Sequence, residues 1–223
     1  MDFELHHAHP WDVSPAEAVA IQRELAACVR EEPLARPART VAGIDVSIRG
    51  DLAQAAVVVV RLPDFEVLDR AVWRCDVPFP YVPGLLSFRE VPAILPALER
   101  LTVRPDVLMT DSQGRAHPRR FGLACHLGVL LDLPAFGVAK SLLTGRYAGL
   151  GMTRGDRAPL VHRGEVVGEA VRTRANVNPV YVSVGHRLTL EGAVTLAMAC
   201  TGRYKIPEPT RLAHHLSRDE GFR

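Results

Sequence analysis

Apolar residues fall in two rhythms along the 223-residue chain. From Thr40 to Val77 they form three long runs rich in valine and alanine, Thr40–Ile48, Ala55–Leu62 and Glu66–Val77. Arg49-Gly50-Asp51 and Pro63-Asp64 interrupt them. β-Branched runs bounded by turn residues read as strands, and connections this short join antiparallel neighbours. Elsewhere the spacing is helical. Ser14-Pro15-Ala16-Glu17 is a capping box with proline at the first helical position, and an apolar stripe through Ile21, Leu25 and Cys28 follows until Pro33. After the stiff loop PFPYVPG the pattern predicts a helix from about Ser87 to Leu101, a strand over Arg104–Asp111, a helix over Arg119–Leu131 and a short strand over Pro134–Lys140. Beyond Leu150 it predicts strands in Leu160–Thr173, turning at Arg163-Gly164, and in Val180–Arg187, then helices over Thr189–Cys200 and Pro209–Ser217.

A strand, a crossover helix and a further strand imply parallel pairing. The expected architecture is therefore α/β: a mixed central sheet, an antiparallel meander plus parallel βαβ strands, flanked by helices. That order of elements is the one found in ribonuclease-H-like folds. No internal repeat or linker divides the chain, which predicts one domain over residues 1–223, with 1–10 as a flexible arm.

Composition narrows the class of function. The net charge of +2 is too small to identify a nucleic-acid partner. Nearly every base is arginine, and the only lysines are Lys140 and Lys205. A GC-rich coding bias accounts for the skew and makes a lysine at a strand end more notable. Arginine also suits bidentate contact with phosphate. Cys28, Cys75, Cys125 and Cys200 stand far apart, which argues against a disulfide framework or a zinc site and for a reducing cytoplasm. No apolar stretch reaches membrane-spanning length, and the polar start MDFELHHAHPW does not read as a signal peptide. His6, His7 and His9 read as part of a solvated arm.

Four charged residues close apolar runs: Asp45 in VAGIDVSI, Glu90 in LLSFREVP, Asp111 in DVLMTDSQG and Lys140 in FGVAKS. Aspartate is disfavoured inside strands, so Asp45 needs a reason to be there, although a strand end facing solvent would supply one. Ser87-Phe88-Arg89-Glu90 has the form of a capping box, and taken alone Glu90 reads as a helix cap. Asp111 precedes SQGRAHPRR, where glycine and the cations Arg115, Arg119 and Arg120 suit phosphate at a strand C-terminus. Lys140 again follows a buried strand, where a lysine can neutralise a phosphate oxygen or a leaving group, although a solvated lysine at a strand exit is the ordinary reading. His117 and His214 are the acid–base candidates, and each is ordinarily a surface histidine. GLGMTRG lacks the strand–helix context and the G-K-[ST] ending of a phosphate loop. Three carboxylates and one ammonium on one rim imply magnesium-dependent phosphoryl transfer.

VAGIDVS, PYVPGLLSFRE, DSQGRAHPRRFGLACHLGVLLDLPAFGVAKSLL and PEPTRLAH occur in this order from about Pro37 to Leu216. Together they resemble the endonuclease V family of deoxyinosine-directed nucleases, within the ribonuclease-H-like superfamily. The resemblance implies that Asp45, Glu90 and Asp111 bind one or two Mg²⁺, with Mn²⁺ as a substitute. It also implies that Lys140 and His214 are catalytic, and that Pro80-Tyr81-Val82-Pro83 is a wedge entering DNA beside the lesion. Gly84, Leu86, Ser112, Gly114 and Gly137 would form the pocket for the extruded base, with serine at 112 where the family usually has glycine. The implied reaction is DNA repair by hydrolysis of the second phosphodiester bond 3′ to deoxyinosine, leaving 3′-hydroxyl and 5′-phosphate ends, by a cytoplasmic monomer. Inosine-containing RNA is the alternative substrate, and a catalytically silent nucleic-acid-binding module the alternative class.

Overall fold

The computed structural model describes residues 3–219. Strands β1 (Thr40–Arg49), β2 (Leu52–Arg61) and β3 (Val67–Asp76) form the antiparallel meander that the three valine-rich runs predict. Helix α1 (Pro15–Leu25) precedes them, and its Ser14–Glu17 capping box is formed. Helix α2 (Leu86–Glu99), β4 (Val107–Thr110), α3 (Leu123–Leu131) and β5 (Ala135–Ala139) follow, with β4 parallel to both β1 and β5. The chain then makes β6 (Arg157–His162), β7 (Glu165–Val171), β8 (Val180–His186), α4 (Leu190–Ala199) and α5 (Glu208–Ser217). All eight strands join one sheet in the order β3-β2-β1-β4-β5-β8-β7-β6. The expected mixed sheet flanked by helices is what forms.

Alternation along β1 divides the core. Ala42, Ile44 and Val46 face α2 and α3, where Ile94, Leu98, Leu127 and Leu130 cover them. Each such buried side chain contributes on the order of 2 kcal/mol of transfer free energy. Val41 lies on the other face with Val107, Met109, Phe136 and the α4 residues Ala193, Val194 and Ala197. Odd-numbered β1 residues also meet α5. A Cβ on Gly43 would run into the backbone of Pro209 and Thr210, so glycine is what allows α5 to approach the strand so closely. Asp45 and Ser47 share that parity and therefore point at α5.

Three expectations are corrected. Asp45 does not end its strand: it pairs with Ala56 inside β1, at the level where neighbouring β4 has stopped. The parallel pairing ends at Ile44 and Thr110, closed by Asp111 N–H to Ile44 O at 3.3 Å. The strand expected over Arg104–Asp111 begins only at Val107, because Asp106 turns back to accept from the N–H groups of Arg39 and Thr40. His9 is not a solvated arm residue. Its ring lies 4.5 Å from Trp11 and its Nε2 is 2.7 Å from Nε2 of buried His126, so aromatic surface draws the segment inward.

Candidate active site

The sheet splays where β4 ends, and the charged residues gather in that opening. Asp111 is the first residue beyond β4 and Lys140 the first beyond β5, so both leave the carboxyl edge of adjacent parallel strands. The Lys140 ammonium is paired with Asp111 Oδ2. From the opposite side α5 presents His214, whose Nδ1 is 3.3 Å from Asp45 Oδ2. One ligand atom each from Asp45, Asp111 and His214 lie within 4.8 Å of one another. Two carboxylate oxygens and an imidazole nitrogen at that separation suit a divalent cation.

Glu90 stands behind this group. It lines a cavity of about 80 Å³ with Asp45, Asp111, Ser112 and the apolar Ile44, Val46, Ile94 and Leu123. The capping box expected for Ser87–Glu90 does not form. Helix α2 begins one residue earlier, at Leu86, without a side-chain cap, which leaves Ser87 inside the helix with its buried Oγ unpartnered. Glu90 is thus released from capping and turned to the acidic centre. Burial, and then the charges of Asp45 and Asp111, push its carboxyl up to about 8, with Arg89 opposing. Burial also raises Asp111, against the contact with Lys140. Burying a carboxyl beside two others disfavours its charged form, and a bound cation relieves that crowding. The donor set and this crowding both fit a hard divalent ion.

A larger cavity, of about 400 Å³, opens beside the acidic centre and shares Asp111, Ser112 and Lys140 with its surroundings. Tyr81, Val82, Pro83, Gly84 and Leu86 line one side, and Ser141, Leu142 and Leu143 are among its other lining residues. Tyr81 is 72% exposed, the most exposed large apolar side chain among the described residues. A cavity of this size is within the range of about 300–1,000 Å³ usual for small-molecule sites.

The family model for endonuclease V matches residues 23–215. The chain belongs to the endonuclease V family. A curated endonuclease V from Roseiflexus castenholzii is 54% identical over 209 residues, covering 94% of each chain. The crystal structure of endonuclease V from Streptomyces avermitilis shares 45% identity, covers 93% of each chain and superposes with a TM-score of 0.89. The Ciona intestinalis endonuclease V, crystallised with a 24-mer DNA containing an inosine followed by a ribo-adenosine, is 29% identical over 91% of this chain and 95% of its own, with a TM-score of 0.82. The chain is accordingly an endonuclease, with the ribonuclease-H-like α/β fold of this family.

Against that family pattern, several expected site residues take other places. Gly84, Leu86 and Ser112 line the larger cavity, whereas Gly114 and Gly137 do not. A Cβ on Gly114 would meet the backbone of Val184, and one on Gly137 would meet the carbonyl of Ser112. These glycines let β5 and β8 press against the 112–114 loop and so shape the pocket floor from behind. Gly137→Ala is expected to cost about 2–3 kcal/mol, seen as a lower urea midpoint with an unchanged slope. An unchanged midpoint would show that the loop yields and the close packing is dispensable. Ser112 keeps its hydroxyl 2.7 Å from Thr110 Oγ1, which ties down the side chain that replaces glycine.

The three arginines expected at phosphate are engaged within the protein. Arg115 pairs with Glu31 and Glu165, Arg120 with Glu165 at 2.7 Å, and Arg119 donates to Gln22 and to the Gly84 carbonyl. Their acceptors come from distant chain segments, so their cluster in the sequence reflected bracing of the loop. His117, expected as an acid–base candidate, is buried and pushed down to about 4 by desolvation and then by Arg119, which keeps it neutral.

Other residues were missed. Ser217 Oγ donates to Asp45 Oδ2 at 2.5 Å and lies 2.8 Å from Ser47 Oγ. Its position three residues after His214, on the same helix face, was the available signal. Gln113 lines the larger cavity and donates to Ser141 O at 2.9 Å, steadying the chain just past Lys140. Lys205 has its ammonium destabilised by burial and then by Lys140, so the chain's two lysines lie in each other's field. Their rarity was the clue.

Proposed function

We propose that this endonuclease recognises deoxyinosine in DNA and hydrolyses the second phosphodiester bond 3′ to it, leaving 3′-hydroxyl and 5′-phosphate ends, with Mg²⁺ as its metal. The observation that carries this reading is that the large cavity beneath Tyr81 shares Asp111 and Ser112 with the acidic centre, and is lined as well by Lys140, the ion-pair partner of Asp111. A base-sized recess and a cation site with a common wall suit an enzyme that reads a base and cuts displaced from it. The relative from Ciona intestinalis, bound to inosine-containing DNA, supports the same substrate class.

Asp45 and Asp111 would hold the ion, with Glu90 completing the charge behind them and His214 standing beside it. Bound there, Mg²⁺ supplies Lewis-acid stabilisation of charge on the scissile phosphate and an activated water. The protein's own groups do the rest. With Nδ1–H directed at Asp45, His214 keeps Nε2 as an acceptor that orients or deprotonates the attacking water. Lys140, released from Asp111 when charge on that carboxylate is otherwise matched, brings its ammonium to the departing oxygen. Pro80 and Pro83 fix backbone angles around Tyr81, so its ring can occupy the space left by an extruded base without collapsing. The enzyme acts as one domain and as a monomer. Its four unpaired cysteines accord with the reducing cytoplasm where we place it.

Matched oligonucleotides carrying one inosine as DNA or as RNA test the assignment, each with and without Mg²⁺. A magnesium-dependent nick in DNA, one bond beyond the bond adjoining the lesion, is the expected result. Cleavage of RNA alone would replace deoxyinosine repair with inosine-RNA processing. Specific binding with no cleavage of either would leave a silent binding module.

A further inference from the structure

The root of the Tyr81 loop is held in an unusual way. The carbonyl of Gly84 accepts from three side chains: Gln22 Nε2 at 3.0 Å, His117 Nε2 at 3.0 Å and Arg119 Nη2 at 2.6 Å. A carbonyl oxygen has two lone pairs, so two donors would already satisfy it. The donors are themselves cross-linked. Arg119 Nε donates to Gln22 Oε1 at 2.5 Å, and the Arg119 backbone N–H donates to His117 Nδ1 at 3.2 Å. That second bond makes Nδ1 the acceptor and leaves the proton on Nε2, aimed at Gly84. Desolvation keeps the ring neutral and so preserves this tautomer.

Gln22 and His117 are only 1% and 3% exposed. Burying polar side chains is unfavourable unless they are bonded, and here the bonds converge on one main-chain atom of a loop whose tip is solvent-exposed. Gly84 itself has φ +80°, a conformation in which glycine is favoured, and a Cβ there would approach Arg119 Nη2 to 2.7 Å. The other end of the loop is also tied: Phe79 is buried and its carbonyl accepts from Arg89 Nη1 at 3.2 Å. Helix α1, the loop after β4 and the root of the Tyr81 loop, distant in sequence, are thus joined at one point.

Resting on the proposed function, we propose that Gln22, Arg119 and His117 are positioning residues that lock the Gly84 carbonyl and so stiffen the Tyr81 wedge for work on duplex DNA. A wedge must withstand the cost of unstacking a base, a few kcal/mol, and a loop free to pivot at Gly84 would yield instead. A single strand has no opposing stack to displace. The lock therefore matters for duplex substrate far more than for single-stranded substrate.

Gln22→Met removes the amide at similar length, and Gln22→Glu keeps an acceptor for Arg119 while losing the donor to Gly84. The readout is kcat/KM on a duplex with one deoxyinosine divided by that on the same strand alone. Both variants are expected to lower this ratio by about 10-fold or more, given that small misplacements at active sites cost up to about 10²-fold. Simple destabilisation would reduce both substrates together and leave the ratio unmoved, which would overturn the lock. Amide hydrogen exchange over residues 79–86 is measured on the same proteins and needs no substrate. It is expected to quicken in that segment, and unchanged exchange there would also overturn the proposal. Wild-type protein that cuts neither strand form would refute the deoxyinosine reading, while the exchange experiment still decides whether the lock exists.

Discussion

Replacing Asp45 by alanine is expected to lower the rate of nicking by about 10³-fold or more, while affinity for the deoxyinosine duplex stays within a few-fold. The two sites are adjacent and share Asp111 and Ser112, but Asp45 belongs to only one of them. Asp45 lines the small acidic cavity and is absent from the lining of the large one, where Tyr81, Gly84 and Leu86 stand. Asp45 is also the common partner of His214 and Ser217, so its loss frees the imidazole as well as removing a cation ligand. The effects are joined in one residue and will not add as separate losses. Binding is measured without cleavage by withholding the metal and titrating labelled duplex. If affinity collapsed together with rate, Asp45 would belong to lesion recognition and the division into two sites would be wrong.

The second large effect combines activity with pH. Glu90→Gln is expected to reduce cleavage by about 10²-fold, yet to raise the stability of the metal-free protein at pH 8. A carboxyl with a folded pKa of about 8 against an ordinary 4.5 binds its proton more tightly in the folded state. Its penalty is therefore absent below pH 4.5, grows as pH rises and is complete above the folded value. Glutamine keeps the shape and never ionises. The gain is expected to be about 1–2 kcal/mol, or roughly 3–6 °C in melting temperature, at pH 8, and to vanish near pH 4.5. Mg²⁺ should reverse the order, because the cation rewards the charged form in the native protein. Thermal melts at both pH values, with and without chelator, check all of this. A variant less stable than wild type at pH 8 without metal would show that Glu90 is held by bonds and not strained by its neighbours.

Asp45, Asp111 and Lys140 were legible because each breaks or ends a strand-forming run, and residue type against local pattern is information carried by a few neighbouring positions. The meander and the crossover helix between parallel strands followed from the same local periodicity. Glu90 was ambiguous for the opposite reason. A cap and a cation ligand look alike in four residues, and only the start of α2 at Leu86 decided between them.

The arginine cluster after Asp111 shows where local reading fails. Arg115, Arg119 and Arg120 carry the composition of a phosphate site, but their partners Glu31, Glu165, Gln22 and Gly84 lie in other segments and were invisible until the chain folded. Gly114 and Gly137 likewise face backbone from elsewhere in the fold, not a ligand. The sequence by itself determined the strands, the helices and the acids that interrupt or follow them, since those depend on spacing of 2 and 3.6 residues. The tertiary structure alone decided that His214 and Ser217 meet Asp45, that burial beside Asp45 and Asp111 raises the Glu90 carboxyl, and that the Tyr81 loop is bolted at Gly84. Those outcomes depend on distance through space and on burial, which the order of residues along a chain does not contain.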